Sequence, residues 1–176
     1  AGHWAKLGEA NTLLALGKHA DAAKAFDEAL AVAGDDGFLR FRSLEGAAYA
    51  LEADGKRDEA QKKLDELAKL DGGTYKPIAE YHRARLLAAS GKRDEARKVL
   101  EAQAKAAEAS SDSKDAAAVA SVDRFPSVTD ASETLLQELG GKPAQRGFDL
   151  SGLGGPGGLS PSVLESLRRQ LSQQEK

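Results

Sequence analysis

Apolar positions along the chain recur at intervals of three and four residues, broken by polar turns, and this spacing predicts helices in pairs. Trp4, Leu7, Ala10, Leu13 and Leu14 share one face of a helix over about 2–16, and Ala22, Phe26, Ala29, Leu30 and Ala33 share one over about 20–33. Phe41, Leu44, Ala48 and Leu51 mark a third helix over about 38–53, followed by a fourth with Ala60, Leu64 and Leu67. A third pair has Ile78, Tyr81, Ala84 and Leu87 on its first helix, with Pro77 in the opening turn, and Ala96, Val99 and Leu100 on its second. The predicted hairpins cover about 2–33, 38–70 and 77–109.

The polar punctuation repeats as regularly as the apolar stripes. Gly55-Lys56-Arg57-Asp58-Glu59-Ala60 returns 36 residues later as Gly91-Lys92-Arg93-Asp94-Glu95-Ala96, and Gly17-Lys18-His19-Ala20-Asp21-Ala22 is a degraded earlier copy. A turn recurring at that interval signals stacked repeats. Its glycine is suited to a left-handed helix stop, and its Asp and Glu to the positive end of the next helix. Asp58–Lys62, Glu59–Lys63 and Asp94–Lys98 stand in favourable i,i+4 order and are expected to pair along the helix surface. The Lys-Arg pair could form a basic strip, but the acidic pair behind it predicts local neutralisation.

Beyond Asp115 the period is lost. Ala116–Val122 reads as a short helix capped by Asp115. Ser127 or Thr129 is expected to cap a further helix through Leu139, with Val128, Ala131, Leu135 and Leu139 on one face, stopped by Gly140-Gly141. The segment 115–139 is then an end cap covering the open end of the stack. Residues 140–160 read as a Gly/Pro-rich linker, and 161–176 as a C-terminal amphipathic helix with Val163, Leu164, Leu167 and Leu171 as its stripe.

Composition narrows the chemistry. Of 176 residues 41% are hydrophobic but only 5% aromatic, so the core must be built largely from Ala and Leu. The formal net charge of -3 supplies no basic excess for a nucleic-acid footprint. With no Cys, thiolate metal sites, disulfides and Cys nucleophiles are excluded. No Met occurs even at position 1, so the chain reads as a processed product or a fragment, and an upstream signal or anchor is compatible with it. No apolar run is long enough for a membrane span. His3, His19 and His82 are scattered without ligand spacing and read as surface or packing residues. The carboxylates read as solvated turn and helix charges. The glycines of 152–158 lack the strand and the Lys-Ser/Thr of a phosphate loop. No catalytic, cofactor or metal site can be assembled, and the expectation is a non-enzyme with no cofactor.

At the three hairpins the sequence resembles tetratricopeptide repeats. The small residue of the first helix is Ala10, Ala48 and Ala84; the turn glycine is Gly17, Gly55 and Gly91. The small residue opening the second helix is Ala22, Ala60 and Ala96, and its large apolar residue is Phe26, Leu64 and Leu100. A second small residue, late in that helix, is met by Ala29 but replaced by Leu67 and Gln103, and Gly34 and Gly72 stand near the place of the closing proline. The resemblance covers about residues 1–109. It implies an all-α fold: a right-handed superhelical stack of antiparallel helical hairpins, here with a capping helix and a C-terminal helix. Within that family the layout looks most like bacterial YfgM-type envelope proteins. That implies a periplasmic location, favoured over the cytoplasm, with an inner-membrane anchor upstream and partners near the translocon.

In the family the first helix of each repeat lines the concave face. Carried across, that face includes Trp4, Leu7, Asn11, Arg42, Glu45, Tyr49, Ile78, Tyr81 and Arg85. Aromatics and Arg are the residue types that carry interface energy. The expected function is therefore a non-catalytic scaffold or adaptor that binds a protein or peptide. The terminal helix is the second candidate, returning to that face in cis or docking on a partner. The alternative is a structural subunit whose repeats stack end to end with another copy or subunit, suggested by Trp4 at the start of an open-ended hairpin.

Overall fold

The computed structural model describes residues 2–111 and 126–142. Among them seven α-helices pack together and no strand occurs: α1 Gly2–Ala15, α2 His19–Ala31, α3 Gly37–Ala53, α4 Arg57–Lys69, α5 Lys76–Ala89, α6 Arg93–Ser111 and α7 Pro126–Glu138. Each of α1 to α6 packs against the next, α1 also meets α3, and α7 lies on α5 and α6. The expected short helix at 116–122, most of the linker, and the terminal helix with Val163, Leu164, Leu167 and Leu171 fall outside the described residues. None of the described helices is long and apolar enough to cross a membrane.

The repeated hexapeptide turns the chain by the same bonds each time. The Gly17, Gly55 and Gly91 N–H groups donate to the Leu14, Glu52 and Ala88 carbonyls at 3.0, 2.9 and 3.0 Å. The Lys18, Lys56 and Lys92 N–H groups donate five residues back, to Leu13, Leu51 and Leu87, at 3.0, 2.8 and 2.9 Å. This pair of bonds is the Schellman closure, which needs a left-handed residue at the glycine; φ there is 72°, 81° and 78°. The same lysines open the next helix, their carbonyls accepting from the Ala22, Ala60 and Ala96 N–H groups. Lys18 and Lys56 offer no side-chain cap, so Asp21, Asp58 and Glu59 in the first turns meet the helix dipole instead. The turn ending α7 closes identically through Gly140 and Gly141, outside the repeat.

The alanines expected to allow close approach are all buried: Ala10, Ala48 and Ala84 on the first helices, Ala22, Ala60 and Ala96 on the second. Phe26, Leu64 and Leu100 fill the space beside them with essentially no exposure. Each such side chain contributes ~1.5–3 kcal/mol on leaving water. α2 and α3 approach closely at Gly46 of α3, against which the Phe26 ring lies flush. A Cβ there would sit 2.8 Å from Phe26 Cδ1 and nearer still to the ring edge.

The structure departs from the expected pattern in three places. α3 buries eight residues, including Leu39, Ser43, Ala47 and Ala50 beside the four expected, because it is enclosed by α1, α2 and α4. α7 begins at Pro126, which puts Ser127 and Thr129 inside its first turn, and it is rotated about its axis. Ser132, Leu136 and Leu139 are buried, whereas Ala131 and Leu135 are only partly so. That rotation lets Leu136 reach Ala84, Ala96 and Leu100, while Arg93 Nη2 donates to the Glu138 carbonyl at 2.9 Å. The surface charges also pair differently. Lys63 bridges to Asp27 on α2 at 2.8 Å rather than to Glu59, and it is Arg97, not Lys98, that meets Asp94, at 3.1 Å. For Lys63 the carboxylate comes from a neighbouring helix, which a single-helix argument does not see; Arg97 reaches Asp94 within α6 at i,i+3.

Candidate partner-binding face

Phe38, Arg42, Glu45, Tyr49 and Glu52 succeed one another on α3 at intervals of four, three, four and three residues, so they form one stripe along the helix. α5 faces this stripe with His82 and Arg85, one turn apart. Glu45 accepts from Arg42 Nη1 and lies 3.3 Å from His82 Nε2 through its other oxygen. His82 is 6% exposed, and its ring meets Tyr49 edge-on with centroids 4.9 Å apart. The Tyr49 hydroxyl is 3.4 Å from His82 Nδ1. Arg85 forks onto both oxygens of Glu52, donating from Nη1 at 2.8 Å and also from Nη2. Its guanidinium lies 5.2 Å from the centre of the Tyr49 ring. A shallow depression between the two helices is lined by Glu45, Tyr49, Glu52, His82 and Arg85 together with Ala48, Leu64 and Leu86.

The electrostatics follow from half-burial. Burial pushes the Tyr49 phenol above its usual value, and the Glu45 carboxylate pushes the same way against Arg85. Burial works to lower Arg85, but its hydrogen bonds to Glu52 and that carboxylate's charge outweigh it and hold the guanidinium above its ordinary value. Glu80, on the same helix, is raised by burial despite Lys76. Glu45 and Glu52 of α3 are matched by the guanidiniums of Arg42 and Arg85, and the Glu52–Arg85 pair ties α3 to α5. A bidentate Arg–carboxylate pair is among the stronger polar contacts a protein makes.

A row of aromatic rings continues from the N-terminal end of the stripe. Trp4 of α1 meets Phe38 at 6.2 Å between centroids, Phe38 meets Phe41 at 5.9 Å, and Phe41 stacks on Tyr75 at 4.6 Å with the planes 4° apart. Arg42 lies 5.8 Å over the Phe41 ring. Trp4 and Phe38 are 52% and 54% exposed, whereas Phe41 is buried.

Of the residues expected on the face, Arg42, Glu45, Tyr49 and Arg85 are gathered in the network, and Tyr81 adjoins it with its ring 5.2 Å from His82. Trp4 lies in the aromatic row instead. Leu7 and Ile78 are core residues, not surface. Asn11 is exposed and its amide donates to the Leu7 carbonyl of its own helix at 2.9 Å. Sequence reasoning missed Glu52, His82, Phe38, Phe41 and Tyr75 as members of the site. Phe38 and Glu52 were findable as the seven-residue neighbours of Glu45. His82 was not, because its partners are on another helix. No group of three or more ligand-type side chains that could hold a metal occurs among the described residues. Comparison of the chain with protein-family models, curated proteins and solved structures gives no match.

Proposed function

We propose that this is a non-catalytic protein-interaction scaffold, a right-handed stack of tetratricopeptide-like hairpins that binds a protein or peptide along the first helices. The observation that carries this reading is the α3 stripe. Its polar groups are held in place by Glu45–His82 and Glu52–Arg85, while Tyr49 and the outer face of Arg42 remain open to solvent. Rigid, prepaid side chains of this kind bind with little ordering cost. The turns built on Gly17, Gly55 and Gly91 support the stack by placing three similar hairpins in sequence.

The test is site-specific photo-crosslinking in extract of the source cell. A photoreactive residue at exposed Ala53, one turn beyond Tyr49 on the stripe, is expected to give a discrete protein adduct. The same residue at exposed Lys62 on α4 is expected to give none. Equal labelling from both positions, or no adduct from Ala53, would sink the proposal.

A further inference from the structure

The exposed aromatic pair at the N-terminal end of the stripe has its own chemistry. Trp4 and Phe38 each leave about half of their surface in water, yet their rings touch and are backed by Phe41 and Tyr75. The rings are therefore ordered at no cost to an incoming ligand. Aromatic side chains cover ~150–250 Å² each, so the open faces amount to roughly 200 Å². A stable interface with a second copy needs about 800 Å² per partner, so this patch suits one or two side chains of a short segment.

Charge decides which side chains. Asp35 and Asp36 are exposed immediately before α3. The Asp71 carboxylate lies against Gly37, where a Cβ would stand 3.2 Å from its Cγ. Asp36 caps α3, its Oδ1 accepting from the Leu39 N–H at 2.9 Å, so its carboxylate and that of Asp71 both sit at the first turn of α3, with Asp35 just before them in the chain. Three cations close to Phe38 and Tyr75 in the chain are engaged or turned away. Arg42 is paired with Glu45, Lys76 with Glu80 at 3.7 Å, and Arg40 is two residues beyond Phe38, on the opposite side of the helix. Ring faces attract cations, Trp most strongly. The row already demonstrates the contact within the chain, since Arg42 covers Phe41.

We propose that Trp4 and Phe38, with Asp35 and Asp71 beside them, bind a cationic peptide segment whose Arg or Lys side chain stacks on the exposed rings and whose neighbouring apolar residue covers Phe38. This deepens the scaffold reading by naming the partner's chemistry at one end of the same face, and it rests on that reading. The acidic trio excludes an acidic segment by repulsion.

Trp4 is the single tryptophan of the chain, so its emission reports the site directly. The purified full chain is titrated with a short synthetic peptide of alternating Arg and Leu, and in parallel with its Glu–Leu counterpart. A saturable change in Trp4 emission is expected with the Arg–Leu peptide only, weakening as salt is added. Phe38→Ala should weaken binding about tenfold, as loss of an anchor does, Phe38→Tyr should retain it, and the Asp35→Asn/Asp71→Asn pair should also weaken it about tenfold. Should Phe38→Ala fail to fold by circular dichroism, the aspartate pair decides. Equal response to the Glu–Leu peptide, binding indifferent to these variants, or a response shown by sedimentation to be self-association overturns the proposal. An Ala53 adduct alongside a failed titration leaves the scaffold reading standing and rejects only the cationic partner. Failure of both rejects the face.

Discussion

Gly8 and Gly46 stand at matching places in the first two hairpins, 38 residues apart like Gly17 and Gly55, and the same substitution at each should act with opposite sign. Both are inside helices, where Ala is preferred over Gly by ~1 kcal/mol for backbone entropy alone. At Gly8 a Cβ meets nothing within 4 Å, so Gly8→Ala should collect most of that gain, about 0.5–1 kcal/mol. At Gly46 the Cβ would stand 2.8 Å from Phe26 Cδ1, far inside the contact distance of about 3.5–4 Å. Phe26 has no exposure, and its ring cannot swing outward without parting α2 from α3. Overpacking of this kind costs ~1–3 kcal/mol, so after the propensity gain Gly46→Ala should be net destabilising by roughly 1 kcal/mol, reaching about 2 if the helices resist. Urea unfolding followed by far-ultraviolet circular dichroism measures both, read as a change in midpoint at constant slope. Adding Phe26→Leu should restore part of the loss in Gly46→Ala, giving a coupling that distant pairs lack. If the two alanine variants stabilise equally, the tight α2–α3 contact does not exist in solution.

The polar network and the core give four further expectations. Arg85→Ala strips a half-buried carboxylate and a tyrosine of their cation and should cost about 1–2 kcal/mol in the same unfolding assay, with Arg85→Lys recovering only part because the fork is lost. Ser43 is fully buried and its hydroxyl has no hydrogen-bond partner, so Ser43→Ala should be neutral or stabilising by up to ~1 kcal/mol. Glu80 is raised in the folded state, so its contribution is fully present below the ordinary carboxylate range and is lost as pH rises through the folded value. Glu80→Gln should therefore be more stable than the parent at pH 7, with the difference vanishing near pH 4; an unchanged difference across that range would contradict the assignment. Tyr49 obeys the same sign at high pH. The parent should lose stability more steeply than Tyr49→Phe as pH climbs above about 10, in thermal melts taken from pH 9 to 11.

The candidate face was only partly legible before the fold was known. Arg42, Glu45 and Tyr49 could be placed together because helical spacing puts them on one side of α3. Arg85 joined them only through the repeat resemblance, and the addition of His82 depends on how α5 lies against α3, which no local pattern encodes. Leu7 and Ile78 have the same spacing as true face residues, yet the packing of neighbouring helices takes them into the core. On α7 the same limit shows: Leu139 is buried and Val128 and Leu135 are partly buried against the core, but the space between Ala84, Ala96 and Leu100 also takes Leu136, which lies off the expected stripe.

Sequence alone determined the six helices of the three hairpins and the turns that join each pair. Those features rest on bonds within a few residues: a left-handed glycine, a lysine carbonyl that opens the next helix, acids at its first turn, and alanines thin enough for close packing. Tertiary structure alone decided which apolar residues stay exposed, which charges find each other and where the aromatic row runs. A helix presents several faces of similar character, and only the neighbours that enclose it determine which one is left to water.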